Sequence, residues 1–377
     1  MNPALLSGWG YDYERKSRVK ILIVYATAGA GHRKAAEAVY KEAKQRNLDA
    51  SIVDILDFTF PLLKYLYSEG YIFLIKHIPH IWRIVFYLSD NFSRGIFRRI
   101  SYFFNKYAYK KYLRFLEEEK YDLVISAHFM STEITGYVKQ KLNIKLVSVV
   151  TDFCLHSAWF DSHVDKFCVA SDSVRNRLIS FGVLDQKIEF TGIPIDAVFS
   201  QNFNRRDTAE KLGISPDLFS LLIMTGEVGM GPIAKIINLL KEDMQLLVVC
   251  GRNKKLFEEL KKINAPNFKI FGLVNNVYEL MSVSDLIITK PGGLTTSEAF
   301  SKKLPMIFFS IIPGQEAGNA KIIESYGAGI IVEDINKIKD IVLSLKLSRS
   351  ELEQYKDNAG RLSHPDAAVK IMDIALK

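Results

Sequence analysis

The densest chemistry in the sequence lies in Thr289-Lys290-Pro291-Gly292-Gly293-Leu294-Thr295-Thr296-Ser297-Glu298. An apolar run ends there, a proline stiffens the turn, and two glycines let backbone approach a ligand closely. Thr295 or Thr296 can then cap a helix whose free N–H groups favour an anion such as a diphosphate. Glu298 stands one turn further on, where a carboxylate can take two hydroxyls of a ribose. The same residues also read as a plain strand-to-helix turn with a Thr295–Glu298 capping box. One apolar run later comes Pro313-Gly314-Gln315-Glu316-Ala317-Gly318-Asn319. Gln315 and Glu316 suit the hydroxyls of a sugar, and Asn319 suits either a ligand or a helix cap. Met224 to Pro232 carries Gly226, Gly229 and Gly231, whose N–H groups can nest an anion or merely connect two elements.

In the first half, the apolar run Ile21-Leu22-Ile23-Val24 enters a turn, Gly29-Ala30-Gly31, that closes on His32. This is neither a P-loop nor a dinucleotide fingerprint, since no Gly-Lys-Ser/Thr ending and no G-x-G-x-x-G spacing is present. A second polar cluster, Thr151-Asp152-Phe153 with His156 and Trp159, follows another apolar run. If both runs are strands of one parallel sheet, His32, Asp152 and His156 leave it by the same edge and can converge on a cleft.

Those runs belong to a regular alternation. Strands are expected at 20–26, 51–55, 122–126, 145–150 and 166–170, with helices at 32–46, 131–142 and 171–181 between them. A polar stretch near 200–207 separates a second series, with strands at 218–225, 245–250, 268–271, 286–289, 305–309 and 329–332 and a helix over 295–301 after the fourth. Short apolar strands alternating with amphipathic helices predict parallel α/β layers, here two Rossmann-like domains facing across a cleft. The expected division is 1–199 and 200–362.

Composition narrows the function classes. With 48% hydrophobic and 24% charged residues, the chain reads as packed and globular. Three scattered cysteines, Cys154, Cys168 and Cys250, offer neither a disulfide frame nor zinc-ligand spacing, which fits a reducing compartment. No run has the length of a signal peptide or of a spanning helix. The net charge of +8 is concentrated in residues 60–116, where ten Lys/Arg face two acids and 17 aromatic residues are interleaved. Aromatic rings at headgroup depth beside cations suit an interfacial surface on anionic lipid. Packing on the sheet, or single-stranded nucleic-acid binding, would use the same residue types, but no nucleic-acid module accompanies them.

Taken together, Gly29-Ala30-Gly31-His32, Thr151-Asp152-Phe153 with His156 and Trp159, Gly229-Met230-Gly231-Pro232, Lys290-Pro291-Gly292-Gly293 with Glu298, and Pro313-Gly314-Gln315-Glu316 with Asn319 resemble one family. It is that of the monogalactosyldiacylglycerol synthases and processive diacylglycerol glucosyltransferases, family 28-like enzymes. The resemblance runs from about residue 20 to 329 and implies a GT-B fold, with residues 363–377 returning to the first domain. It implies an inverting transferase moving glucose or galactose from UDP-hexose to diacylglycerol, at the cytoplasmic face of the cell membrane. By this resemblance His32 is the general base, with Asp152 orienting it or itself the base, and Gly29, Gly31, His156 and Trp159 meet the acceptor. Gly226, Gly229, Arg252, Lys290, Gly292, Gly293, Thr295, Glu298, Gln315, Glu316 and Asn319 meet the donor. A histidine near its ordinary pKa of about 6.5 suits the base role. Val228 stands where plant members carry an acid. No Asp-x-Asp pair occurs, so no metal or other cofactor is expected, and the leaving diphosphate is left to helix N-termini and to Lys290 or Arg252. Transfer of N-acetylglucosamine to a polyprenyl-linked carrier, a UDP-sugar epimerase and a non-catalytic membrane scaffold are the alternatives.

Overall fold

The computed structural model describes residues 19–27, 29–92, 104–263, 265 and 267–377. Two six-stranded, all-parallel sheets organise them. The first comprises β1 (Lys20–Tyr25), β2 (Asp49–Asp54), β3 (Leu123–Ser126), β4 (Lys145–Val149), β5 (Lys166–Val169) and β6 (Ile188–Phe190), in the order β2-β1-β3-β4-β5-β6. The second comprises β7 (Ser220–Met224), β8 (Gln245–Val249), β9 (Phe268–Phe271), β10 (Leu286–Thr289), β11 (Met306–Phe308) and β12 (Gly329–Ile331), in the order β12-β11-β10-β7-β8-β9.

Helices cover both faces of each sheet, which is why the strands read as unbroken apolar runs. In β1, Ile21 and Ile23 join Ala36, Val39, Ile371 and Met372 on one face. Leu22 and Val24 join Tyr112 and Leu116 on the other. In each sheet the strand order reverses once, between β1 and β3 and between β7 and β10, and side chains leaving the carboxyl ends of those strands meet in a crevice. The sequence missed β6, whose three residues form no recognisable run. The helix expected over 131–142 is two helices, Phe129–Gly136 and Lys139–Leu142.

The halves are tightly joined. One apolar cluster contains Ala35 and Phe153 of the first together with Leu294, Phe300 and Ala320 of the second. The chain crosses outward through buried Ile193 and Ile195 and returns past His364, whose ring packs 5.2 Å from Phe190. Its last helix, Ala367–Leu376, then lies on the first sheet, where Asp373 accepts from Arg46 at 2.6 Å.

The aromatic basic segment divides in two. Tyr109, Tyr112 and Leu116 are core. Phe60, Leu62, Tyr65, Leu66, Phe73, Ile84, Tyr87, Phe104 and Tyr107 are exposed, Tyr107 to 71%. Residues 93–103, with Arg94, Arg98 and Arg99, lie outside the described residues, as do residues 1–18. Among the described residues no helix is long and apolar enough to cross a membrane.

Candidate active site between the two sheets

Three helices that begin at this crevice share one feature. Ala30–Gln45, Gly293–Ser301 and Gln315–Ser325 start after Gly29, Gly292 and Gly314, and none has a side-chain cap. Their first N–H groups therefore keep their hydrogen-bonding capacity and the positive end of each dipole for a ligand. This corrects two readings. Gly292, not Thr295 or Thr296, is the N-cap, and the Thr295–Glu298 capping box does not form. Thr295 sits half-buried in the first turn, and the Thr296 hydroxyl is buried without a partner among the described residues.

His32 lies in the first turn of its helix. Its Nδ1 is 3.0 Å from the carbonyl oxygen of Ala127 and 2.8 Å from Thr151 Oγ1. A carbonyl only accepts, so Nδ1 carries the hydrogen and Nε2 the lone pair. Burial lowers its pKa to about 4, against the ordinary value expected from the sequence, although the hydrogen bond to Ala127 works the other way. The ring is therefore neutral at pH 7. A second histidine, which the sequence reading missed, stands beside it. His128 packs edge-on at 4.7 Å between centroids, and Trp159 lies 6.3 Å from His32. The signal for His128 was its place just after the β3 run, at the same sheet edge as the glycine turn.

Asp152 does not orient His32. Its carboxylate accepts from Asn319 Nδ2 at 3.1 Å and Gln315 Nε2 at 3.3 Å, both from the second domain. Burial pushes its pKa up to about 6, with the Asn319 hydrogen bond opposing. Asn319, expected at the donor, is spent on joining the halves: Oδ1 accepts from the N–H groups of Phe153 and Cys154, and Nδ2 donates to Asp152 and to the Pro291 carbonyl. Glu316 turns back on its own loop, accepting from Ile312 N–H at 2.8 Å, and burial raises its pKa while nearby Lys290 lowers it. Lys290 itself makes no ion pair among the described residues.

His156 also serves the scaffold. Its Nδ1 accepts from Ala158 N–H at 3.1 Å, so Nε2 carries the hydrogen, 3.2 Å from Ser89 Oγ and 3.3 Å from the Phe86 carbonyl. Both partners lie on helix Pro79–Phe92, which Asp90 fastens further by accepting from Ser157 N–H at 2.7 Å and from Arg177. Trp159 is fully buried, its indole N–H without a partner among the described residues. The loop carrying Gly226 and Gly229 leans on the next one, Asn253 donating to the Gly229 carbonyl at 2.9 Å, while exposed Arg252 pairs with Glu227.

Close approach holds the two sheet edges together. Gly31 lies against Leu294 across the crevice, and a Cβ on Gly293 would overlap the Thr151 carbonyl. A Cβ on Gly314 would lie 2.9 Å from the Phe86 ring. Glu298, in the same helix as Gly293, is buried, and burial pushes its pKa to about 7, with Lys34 lowering and Asp196 raising it. Among the described residues no group of three His, Cys, Asp or Glu is placed to hold a metal ion.

The family model for monogalactosyldiacylglycerol synthase matches residues 32–195, and that for the glycosyltransferase family 28 C-terminal domain matches residues 232–371. The chain is 31% identical to the processive diacylglycerol beta-glucosyltransferase of Bacillus cytotoxicus, over 95% of this chain and 93% of that protein. It is 30% identical to that of Bacillus subtilis strain 168, over 95% of each. Its structure is similar to MurG of Acinetobacter baumannii, with a TM-score of 0.61 at 17% identity over 95% of this chain and 99% of the other. HepE of Anabaena in complex with UDP and glucose gives 0.57 at 12% identity, again over 95% and 99%. Those likenesses bear on the fold, which is GT-B. With 30 to 31% identity spread along nearly its whole length, the chain belongs to the family of the processive diacylglycerol beta-glucosyltransferases.

Proposed function

We propose that this protein transfers a hexose from UDP-hexose to the free hydroxyl of diacylglycerol, with inversion, while resting on an anionic membrane surface. The observation that carries the reading is the pairing across the crevice of an imidazole whose Nε2 lone pair has no partner among the described residues and a helix start without a side-chain cap, that of Gly293–Ser301. One removes a proton; the other receives negative charge.

In a single displacement the acceptor oxygen forms a bond to the anomeric carbon as the bond from that carbon to the diphosphate oxygen breaks. His32 Nε2 takes the hydroxyl proton. The electron pair leaves with UDP, and the first N–H groups of helix Gly293–Ser301, together with Lys290, stabilise it. Glu298 holds the ribose and Gln315 faces the sugar. No step requires a metal ion, so turnover should persist in chelator. The exposed rings Phe60, Tyr65, Phe73, Tyr87, Phe104 and Tyr107 sit at headgroup depth, where diacylglycerol is found. The named activities of the relatives support this choice of acceptor over a polyprenyl-linked one.

The test is transfer on vesicles of diacylglycerol and phosphatidylglycerol, with UDP-glucose and UDP-galactose in parallel. Wild-type protein should form glycolipid with one of them, and His32→Ala should lose about 10²–10⁴-fold in rate. UDP binding without product from either donor would discard diacylglycerol as the acceptor.

A further inference from the structure

His32 and His128 are neighbouring imidazoles held in opposite tautomers. His128 leaves the end of β3 and caps helix Phe129–Gly136, its Nδ1 accepting from Met130 N–H at 3.2 Å. That fixes the lone pair on Nδ1 and the hydrogen on Nε2, the reverse of His32. The residue is 1% exposed. Burial, reinforced by the proximity of His32, holds its pKa well below the ordinary value, so the ring is neutral.

Its place is rigid. The His128 carbonyl receives the hydroxyls of Ser126 at 2.8 Å, Ser131 at 2.9 Å and Thr132 at 3.2 Å. The ring lies between His32 and Phe129, at 4.7 and 4.2 Å between centroids. Among the described residues no acceptor meets Nε2–H, and, unlike the indole N–H of Trp159 or the hydroxyl of Thr296, it keeps contact with solvent. A donor that water satisfies in the free protein can exchange that water for an oxygen of a ligand.

We propose that His128 binds the acceptor: its Nε2–H donates to an acceptor oxygen on the carbon adjoining the hydroxyl that His32 deprotonates. The pair then offers one proton acceptor and one proton donor side by side. That pattern matches an alcohol flanked by a second oxygen, as in a glycerol ester or a sugar, and disfavours a simple alkanol. The inference rests on the transferase reading above, but the two fail separately, because loss of the base acts on turnover and loss of this donor acts on acceptor affinity.

Two variants separate the donor from the cap. His128→Asn keeps a side-chain oxygen where Nδ1 caps the helix but is too short to place a donor at the Nε2 position. His128→Gln reaches the Nε2 position and sacrifices the cap. With diacylglycerol in vesicles and saturating UDP-hexose, Asn should raise the acceptor KM about tenfold, with kcat and UDP affinity retained. Gln should keep a near-wild-type KM while melting at a lower temperature. The reverse result, wild-type KM in Asn and a raised KM in Gln, would show that His128 acts only as a helix cap. A fall in kcat alone in both variants would equally remove it from acceptor binding. His32→Ala retaining full turnover would overturn the base assignment and leave the His128 result standing on its own KM.

Discussion

At the residue scale, the two candidate bases at the crevice lose their protons at different pH. His32, at about 4, is neutral and able to accept a proton throughout the physiological range. Asp152, at about 6, gains its charge only above that. If His32 is the base, kcat/KM should fall on acidification with a limb near 4, unchanged in Asp152→Asn. A wild-type limb near 6 that vanishes in that variant would move the base role to Asp152. The same carboxyl carries a stability prediction. Its folded pKa lies above the 3.8 of the unfolded chain, so the native state binds the extra proton between those values, and stability rises as pH falls through 6. Above pH 6 the buried charge costs on the order of 2–3 kcal/mol. Asp152→Asn should therefore raise the melting temperature at pH 8 and leave it unchanged near pH 4; equal effects at both would refute the linkage. The types of these residues were legible in the sequence, but their pairings were not. Nothing in Asp152 or Asn319 alone announces that each is the other's partner across two domains, and His128 was hidden because an isolated histidine after an apolar run carries no motif.

At the scale of elements, all six strands of the second sheet and five of the first follow from apolar runs bounded by glycine and proline, because a parallel strand buried on both faces leaves little else in its sequence. Helix starts were harder. Threonine is a strong capping signal, and Thr295 and Thr296 drew the expected start two residues too far along; the helix begins at Gly293 because only there can backbone pass against the Thr151 carbonyl. That contact is open to test. Gly293→Ala should force the two sheet edges apart by about the size of a methyl group and reduce kcat roughly 10²-fold, with far-UV circular dichroism unchanged. Full turnover in this variant would mean that the helix start and the Thr151 loop need not touch during catalysis.

On the scale of the whole molecule, the described residues of the segment 60–116 are divided between rings that hold the first domain together, Tyr109 and Tyr112, and rings that face outward, a distinction composition cannot make. Tyr65, Phe73 and Tyr107 are at least half exposed. Replacing all three by serine should abolish flotation with phosphatidylglycerol vesicles, since burying each apolar ring is worth roughly 1 kcal/mol or more, and should leave UDP affinity intact. An equal loss of UDP affinity would make the segment a structural one. The two domains, finally, are connected by two passages of chain rather than one, and the passages touch: a Cβ on Gly192, on the outward passage, would overlap His364 on the return. Two straps pinned at one point permit rotation about that point and resist both sliding and separation. If product leaves by a swing of the halves about that contact, Gly192→Ala should slow product release without touching either substrate, and unchanged release in this variant would place the hinge elsewhere.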